Sequence, residues 1–380
     1  MYSGRRAVSC CTSITLINDQ EGQGHGTHWA GIGIHMDSIE IRQPDDFHVH
    51  LRRGELLRIV LPYTARQFAR GLVMPNTIPP ILDADDVDEY RQEVQAVSRW
   101  DFEPLMTIKI TSDTSPEHVW SARQAGVVAG KMYPVGVTTN SIDGVEDVTR
   151  LFPTLAAMAD AEMVLCLHGE QPGVFCLNRE EAFVAEVLPV LTTNFPRLRI
   201  VLEHVSTAAA VKCVLGQRTH SDTGMVAASI TVHHLLLTLD DIIGDSLGPH
   251  NFCKPVPKRP EDRSALLAAA TSGDARFFLG TDSAPHLRSA KESAAGSAGV
   301  FSAPVALPAL AQVFEETGRL SQLERFTSVN GALFYRVPLN RGRLTIERRS
   351  WIVPAEYGGI VPFLAGQELD WRVSEATNPT

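Results

Sequence analysis

From residue 37 onward the chain repeats one pattern: a short run rich in Val, Ile and Leu, ended by small or polar residues, then a longer segment with helical spacing. Strands that return to their sheet through a helix are parallel strands, because parallel neighbours cannot be joined by a tight turn. The candidate strands are 39–47, 70–74, 105–110, 127–132, 163–167, 200–203, 227–232 and 276–280. Segments 84–100, 115–125, 145–161, 179–191, 207–215 and 263–272 read as helices, several opened by Ser, Thr or Asp caps. Eight such strands predict an α/β fold closed as a TIM-type (β/α)8 barrel. An open doubly wound sheet is the alternative, but no GxGxxG turn follows the first strand.

Composition narrows the partners. A chain of 380 residues, 44% of them hydrophobic, can bury one large core. Its net charge of −10 and the lack of a Lys/Arg run argue against a nucleic-acid surface or a polybasic membrane anchor, which leaves a small molecule as the expected partner. The cysteines Cys10, Cys11, Cys166, Cys176, Cys213 and Cys253 show no CxxC spacing, so neither a zinc ribbon nor a disulfide framework is expected. No apolar run reaches the roughly 18 residues of a membrane span, and the expected location is cytoplasmic. Residues 24–33, GHGTHWAGIG, resemble the histidine segment of subtilisin-like proteases, but no matching serine segment follows. Residues 1–35 are therefore expected to be a poorly ordered or mis-assigned extension, and 36–380 the barrel domain with a C-terminal extension.

The ionisable residues fall at the ends of the predicted strands. His48 and His50, two apart, project from one face of the first strand, and Arg52 follows them. Asn76 follows the second strand, Lys131 ends the fourth, His168 the fifth, His204 the sixth and Asp282 the eighth. A lone strand-end histidine is ordinarily a hydrogen-bonded structural residue. Six metal-competent groups at the C-terminal ends of one barrel are different, because closure gathers those ends into a single ring where barrel enzymes keep their chemistry.

Such a ring supports metal-assisted hydrolysis. Four imidazoles and a carboxylate are too many for one tetrahedral zinc that keeps an open position, but they suit two adjacent metals. A bare ammonium at Lys131 would repel both cations, so Lys131 must be neutral or be converted to an anion, as carbamylation by CO2 would do.

The segments PDDFHVHLR, MPNT, GKMYPVGVTTN, CLHGE, LEHVST and GTDSAPH, followed by KESAAGSAGVFSAP, SVNGALFY and the closing VPFLAGQELDW, resemble the dihydroorotases of the amidohydrolase superfamily. The resemblance runs from about residue 37 to the C-terminus. It implies two Zn2+ per subunit: His48, His50, Asp282 and carboxylated Lys131 on one, and His168, His204 and the same modified lysine on the other, with a hydroxide between them. It implies that Asp282 shuttles the proton and that Arg52, Asn76 and His286 bind the substrate carboxylate. The backbone near Lys254 and Ala298 would touch the substrate ring, and Thr138 and Thr139 would sit on a loop that closes over it. The implied reaction is reversible hydrolysis of (S)-dihydroorotate to N-carbamoyl-L-aspartate, the third step of pyrimidine synthesis, in an enzyme that is usually a homodimer. A hydantoinase, dihydropyrimidinase or allantoinase would share the metals but not the acid-binding set. A non-catalytic scaffold would ordinarily have lost a ligand. Beside these, His233 is expected at the rim and 288–292 as a solvated loop face.

Overall fold

The computed structural model describes residues 37–138, 140–217 and 225–374; the extension 1–35 and Thr139 lie outside them. The described strands are β1 (Ser38–Arg42), β2 (Asp45–Val49), β3 (Arg70–Val73), β4 (Glu103–Ile110), β5 (Ala129–Met132), β6 (Val164–Leu167), β7 (Ile200–Leu202), β8 (Val226–Ile230), β9 (Phe277–Leu279), β10 (Arg343–Ile352) and β11 (Glu368–Val373). Strands β2 to β9 pair in sequence order, all parallel, with helices between most of them. Closure comes just past β9: Val49 and Ser283 form a parallel bridge, the Asp282 N–H donates to the His48 carbonyl (2.9 Å), and the His50 N–H donates to the Ser283 carbonyl (3.1 Å). The predicted (β/α)8 barrel is the observed one.

The predicted first strand, 39–47, is two strands. Pro44 has no N–H to give to a ladder, and it separates β1 from β2. The alternation of Ile39–Arg42 reflects pairing with β10 in a three-stranded antiparallel sheet, β1-β10-β11, outside the barrel. That sheet is tied down by Trp371, fully buried, whose indole N–H donates to Glu315 (3.0 Å) on the helix Ala306–Glu316. The predicted elements also omit the helix Gly54–Ala65, whose buried Leu57, Val60, Leu61 and Thr64 keep helical spacing around an interior Pro62.

Two apolar clusters divide the barrel strands by the pleat. Met132, Leu165, Leu167, Ile200, Leu202, Ala228, Ile230, Phe277 and Leu279 belong to the large cluster shared with the helices. Their alternates Ala129, Val164, Cys166, Val201, Ala227 and Phe278 form a second cluster with Phe334 and Tyr335. The period of two that sends Ala129 and Val201 into the barrel sends Lys131 and Glu203 there as well, one step nearer the C-terminal mouth. Strand β2 breaks the alternation: Phe47 lies in the inner cluster and Val49 in the outer one, across a register shift between Asp46 and Val49. The extra residue lets His48 face the barrel axis. Close approach here requires glycine: a Cβ on Gly280 would fall 2.9 Å from the His48 Cβ, and one on Gly331 would fall 2.3 Å from the Phe47 ring.

At the opposite end of β2, Asp45 and Arg70 form a buried, two-pronged ion pair (2.8 and 2.7 Å), and the Asn340 amide donates to the same carboxylate at 2.8 Å. Asp45→Ala would leave Arg70 buried without a counter-charge. The expected loss is about 3–5 kcal/mol of unfolding free energy, read from the urea midpoint, and Arg70→Met in the same chain should recover much of it.

Candidate metal centre and substrate pocket

The C-terminal mouth holds a small cavity whose lining includes His48, His50, Arg52, Asn76, Thr138, His168, His204, Lys254, Asp282 and Ala298. Residues from almost the whole length of the barrel sequence meet there. Lys131 is fully buried, and its ammonium is ion-paired to Glu203. His286 reaches the cavity through two neighbours, the Arg52 guanidinium (3.1 Å) and the Ala298 carbonyl (3.0 Å).

His48 Nε2, His50 Nε2 and Asp282 Oδ1 are 3.1–3.3 Å from one another. Donors about 2.1 Å from a tetrahedral ion stand about 3.4 Å apart, so these three atoms fit one face of a coordination shell. The imidazoles continue as a chain, with ring centroids 5.0 Å apart for His48–His204 and 4.8 Å for His204–His168. Glu170 engages His168 Nε2 at 2.8 Å, which leaves Nδ1 for a metal. His204 Nδ1 is buried without a hydrogen-bond partner among the described residues.

The electrostatics favour a cation at this place. Burial lowers the basicity of His50, to about 4, and of His168 and His204, so these rings are neutral donors. Burial also acts against protonation of His48, but Glu203 and Asp282 on either side raise it to about 9. A proton therefore sits where two carboxylates demand positive charge, and a metal can take its place. Burial alone would raise Asp282, yet His48 and His50 hold its carboxyl well below the usual range.

The backbone is also unusual here. Arg52, His204 and Asp282 have φ of +62°, +42° and +43°, in the left-handed region that costs a side-chain-bearing residue about 1–3 kcal/mol. The strain is held by closure bonds, by Ser229 Oγ accepting from the His204 N–H (2.8 Å), and by the Tyr90 hydroxyl donating to the Arg52 carbonyl. Arg52 Nε donates to the Pro285 carbonyl (3.0 Å), aiming the guanidinium at the cavity beside His286. Burial and the Arg52 charge push His286 down to about 3, so the pair carries one positive charge. Thr138 lines the pocket and is braced by Ser141 Oγ, which accepts from its N–H and donates to its carbonyl.

Several site residues escaped the strand-end reading. Glu203 lies 2.7 Å from His48 Nδ1 and pairs with Lys131. Asp46 accepts from the His48 N–H (3.2 Å), the Thr281 N–H (2.8 Å) and the Thr281 hydroxyl (2.6 Å). Tyr133 sets its ring 5.1 Å from the Lys131 Nζ. The alternation Val201–Leu202–Glu203 carried the signal for Glu203, since the position two beyond an inward valine is inward too. Two expectations are corrected. His233 is fully buried rather than at the rim, because the turn of Thr231 into the helix Val232–Leu236 carries it inward. Within 288–292, Lys291 is buried on a short helix and its ammonium donates to the carbonyls of Phe252 (2.8 Å) and Gly299 (2.6 Å).

The sequence profile of the amidohydrolase family matches residues 46–368, and the chain belongs to that family. A dihydroorotase of Marinobacter nauticus is 43% identical over 343 residues, covering 88% of this chain and 99% of the relative. The dihydroorotase of Saccharomyces cerevisiae, solved in complex with 5-fluoroorotic acid, is 37% identical with a TM-score of 0.84, over 89% of this chain and 99% of that one. The Campylobacter jejuni dihydroorotase is also 37% identical, with a TM-score of 0.81 over 89% and 98% of the two chains. Within the amidohydrolases, the chain belongs with the dihydroorotases.

Glu203 orients His48 and neutralises Lys131 without lining the cavity. Glu203→Gln is expected to keep the fold and to bind metal about tenfold or more weakly, measured by metal analysis after dialysis against a weak chelator. Metal retention equal to wild type would remove Glu203 from the centre.

Proposed function

We propose that the chain interconverts (S)-dihydroorotate and N-carbamoyl-L-aspartate by hydrolysis and formation of the cyclic amide, as a step of pyrimidine synthesis. The observation that carries this reading is Arg52, on the wall of the cavity that holds the donors His48, His50 and Asp282, backed at 3.1 Å by His286. A small cyclic amide that also bears a carboxylate matches both halves.

These residues would hold two Zn2+: His48, His50 and Asp282 would serve one, His168 and His204 the other, with Lys131, as a carboxylysine, contributing to both. When bound, the metal pair supplies Lewis-acid polarisation of the scissile carbonyl and makes water a nucleophile near neutral pH. Charge balance supports the modification. Asp282, Glu203 and a carboxylated Lys131 would together carry −3, and two divalent ions with a hydroxide nucleophile carry +3.

The chain's own residues do the rest. Arg52 is fixed by Pro285 and His286, so its remaining N–H groups can grip the substrate carboxylate in a set orientation, with Asn76 beside it. Asp282, held ionised, takes the proton of the attacking hydroxide as the new C–O bond forms. It then delivers that proton to the ring nitrogen as the C–N bond breaks, leaving a carboxylate and a carbamoyl amine. In the synthetic direction the same groups work in reverse. Lys254 and Ala298 line the cavity where the substrate ring would lie, and Thr138 would cover it from the loop. The homodimer and the cytoplasmic location implied by the resemblance, and the division into an extension and a barrel domain, belong to the same proposal. Among the described residues no helix is long and apolar enough to cross a membrane.

The test is steady-state hydrolysis of L-dihydroorotate, followed in the ultraviolet, on protein with measured metal content and on chelator-stripped protein. Turnover should fall with metal loss and return with zinc and bicarbonate. An inactive protein with about two metals per chain would redirect the search to hydantoin, dihydrouracil and allantoin. Arg52→Ala should raise KM for dihydroorotate by about tenfold or more with a smaller effect on kcat. An unchanged KM would take Arg52 out of the carboxylate site.

A further inference from the structure

Away from the ring of strand-end donors, three more metal-competent side chains meet. His233 and His234 stand on the helix Val232–Leu236 that follows β8, and Cys253 approaches from the segment after the turn Pro249–Asn251. All three are buried, and one ligand atom from each lies within 4.8 Å of the other two. Both ring nitrogens of His233 are buried with no hydrogen-bond partner among the described residues, an arrangement that is costly unless a ligand satisfies it. His234 Nδ1 faces the Thr231 hydroxyl at 2.8 Å. Its Nε2 and the Cys253 thiol converge on one oxygen, the Pro255 carbonyl, at 3.0 and 3.3 Å. The imidazole and the thiol therefore point into the same small space.

We propose that His233, His234 and Cys253 form a separate, buried site for one soft monovalent cation, copper(I). Thiolate with imidazole is a donor set that soft d10 ions prefer. Charge chooses between them. The buried Cys253 thiol donates its proton to the Pro255 carbonyl until a thiophilic ion displaces it, and His233 offers a ring with no other hydrogen-bond partner among the described residues. Binding Cu+ releases the thiol proton and forms the Cu–S bond, so the charge of the site does not change. The proton on His234 Nε2 moves to Nδ1, where the Thr231 hydroxyl accepts it, and Nε2 is freed for the metal. A divalent ion would instead leave a net positive charge in an interior already bordered by two ammonium groups. Lys291 donates to the carbonyl of Phe252, next to Cys253, and Lys258 donates to Ser206 Oγ at 2.6 Å. None of the three ligands lines the substrate cavity, although Lys254, the residue after Cys253, does.

The test uses the metal-loaded holoenzyme under anaerobic conditions, titrated with Cu(I) in competition with bicinchoninate while release of the resident metals is measured. Wild type should take up one tight equivalent without releasing them, and X-ray absorption at the copper edge should show one sulfur and two imidazole nitrogens. Cys253→Ser should lose about a hundredfold or more in affinity, and His233→Gln about tenfold or more. If Cys253→Ser fails to fold by circular dichroism, the His233→Gln affinity and the wild-type copper shell decide. No tight uptake, uptake matched by release of resident metal, a shell without sulfur, or affinity unchanged in the folded variants would each overturn the proposal. The copper readout does not depend on turnover, so it stands or falls separately from the dihydroorotate assay.

Discussion

Closure of the barrel between its first and last strands is the interaction on which the site depends. The Asp282 N–H bonds to the His48 carbonyl, the His50 N–H bonds to Ser283, and the buried Asp46 carboxylate accepts from both His48 and Thr281. Apart from the local Asp46–His48 bond, these join residues more than 230 positions apart, and they set donor atoms of His48, His50 and Asp282 within 3.3 Å of one another. A side chain at the end of an isolated strand would be free to rotate away. Here both backbones are fixed first and the rotamers follow, so little reorganisation remains when a metal arrives.

That placement is held against two costs. Charged groups in the mouth are out of water, and the bend needed to aim them puts Arg52, His204 and Asp282 in left-handed backbone. Pairing limits the first cost: Lys131 and His48 each meet Glu203, and His168 meets Glu170. The second is held by the rigid sheet below, where Phe47 stacks on Tyr335 at 4.8 Å and packs against Phe278. The barrel is thus divided along its axis, with an apolar plug beneath and a charged mouth above. Low dielectric strengthens each polar interaction in the mouth and makes any unpaired member expensive.

Much of this was legible in the sequence because barrels are periodic. The eight strands, and the ring of His48, His50, Lys131, His168, His204 and Asp282, follow from where apolar runs stop. What was not legible depended on breaks in that period. The split of β1 from β2 turns on Pro44, and the inward aim of His48 on a register shift that a hydropathy pattern does not register. Glu203 was hidden behind its neighbour His204, although alternation from Val201 points it inward. Lys291 reads as a surface residue from its charged neighbours, the half-buried Arg288 and the exposed Glu292; only the carbonyls of Phe252 and Gly299 draw it in.

The histidines make the limit of sequence reading concrete, because His204 and His233 look alike in sequence: each follows a barrel strand and each becomes buried. They differ in what surrounds them. His204 extends β7 directly, with its N–H tied to Ser229, and its ring enters the chain of imidazoles between His48 and His168. His233 comes after the strand has already turned into a helix at Thr231, so its ring leaves the mouth and lies against His234 and Phe363 instead. A shift of one turn in the backbone thus decides whether an imidazole joins the catalytic ring or a second cluster, and Thr231, whose hydroxyl caps that helix by accepting from the His234 N–H at 3.0 Å, is the residue that makes the turn.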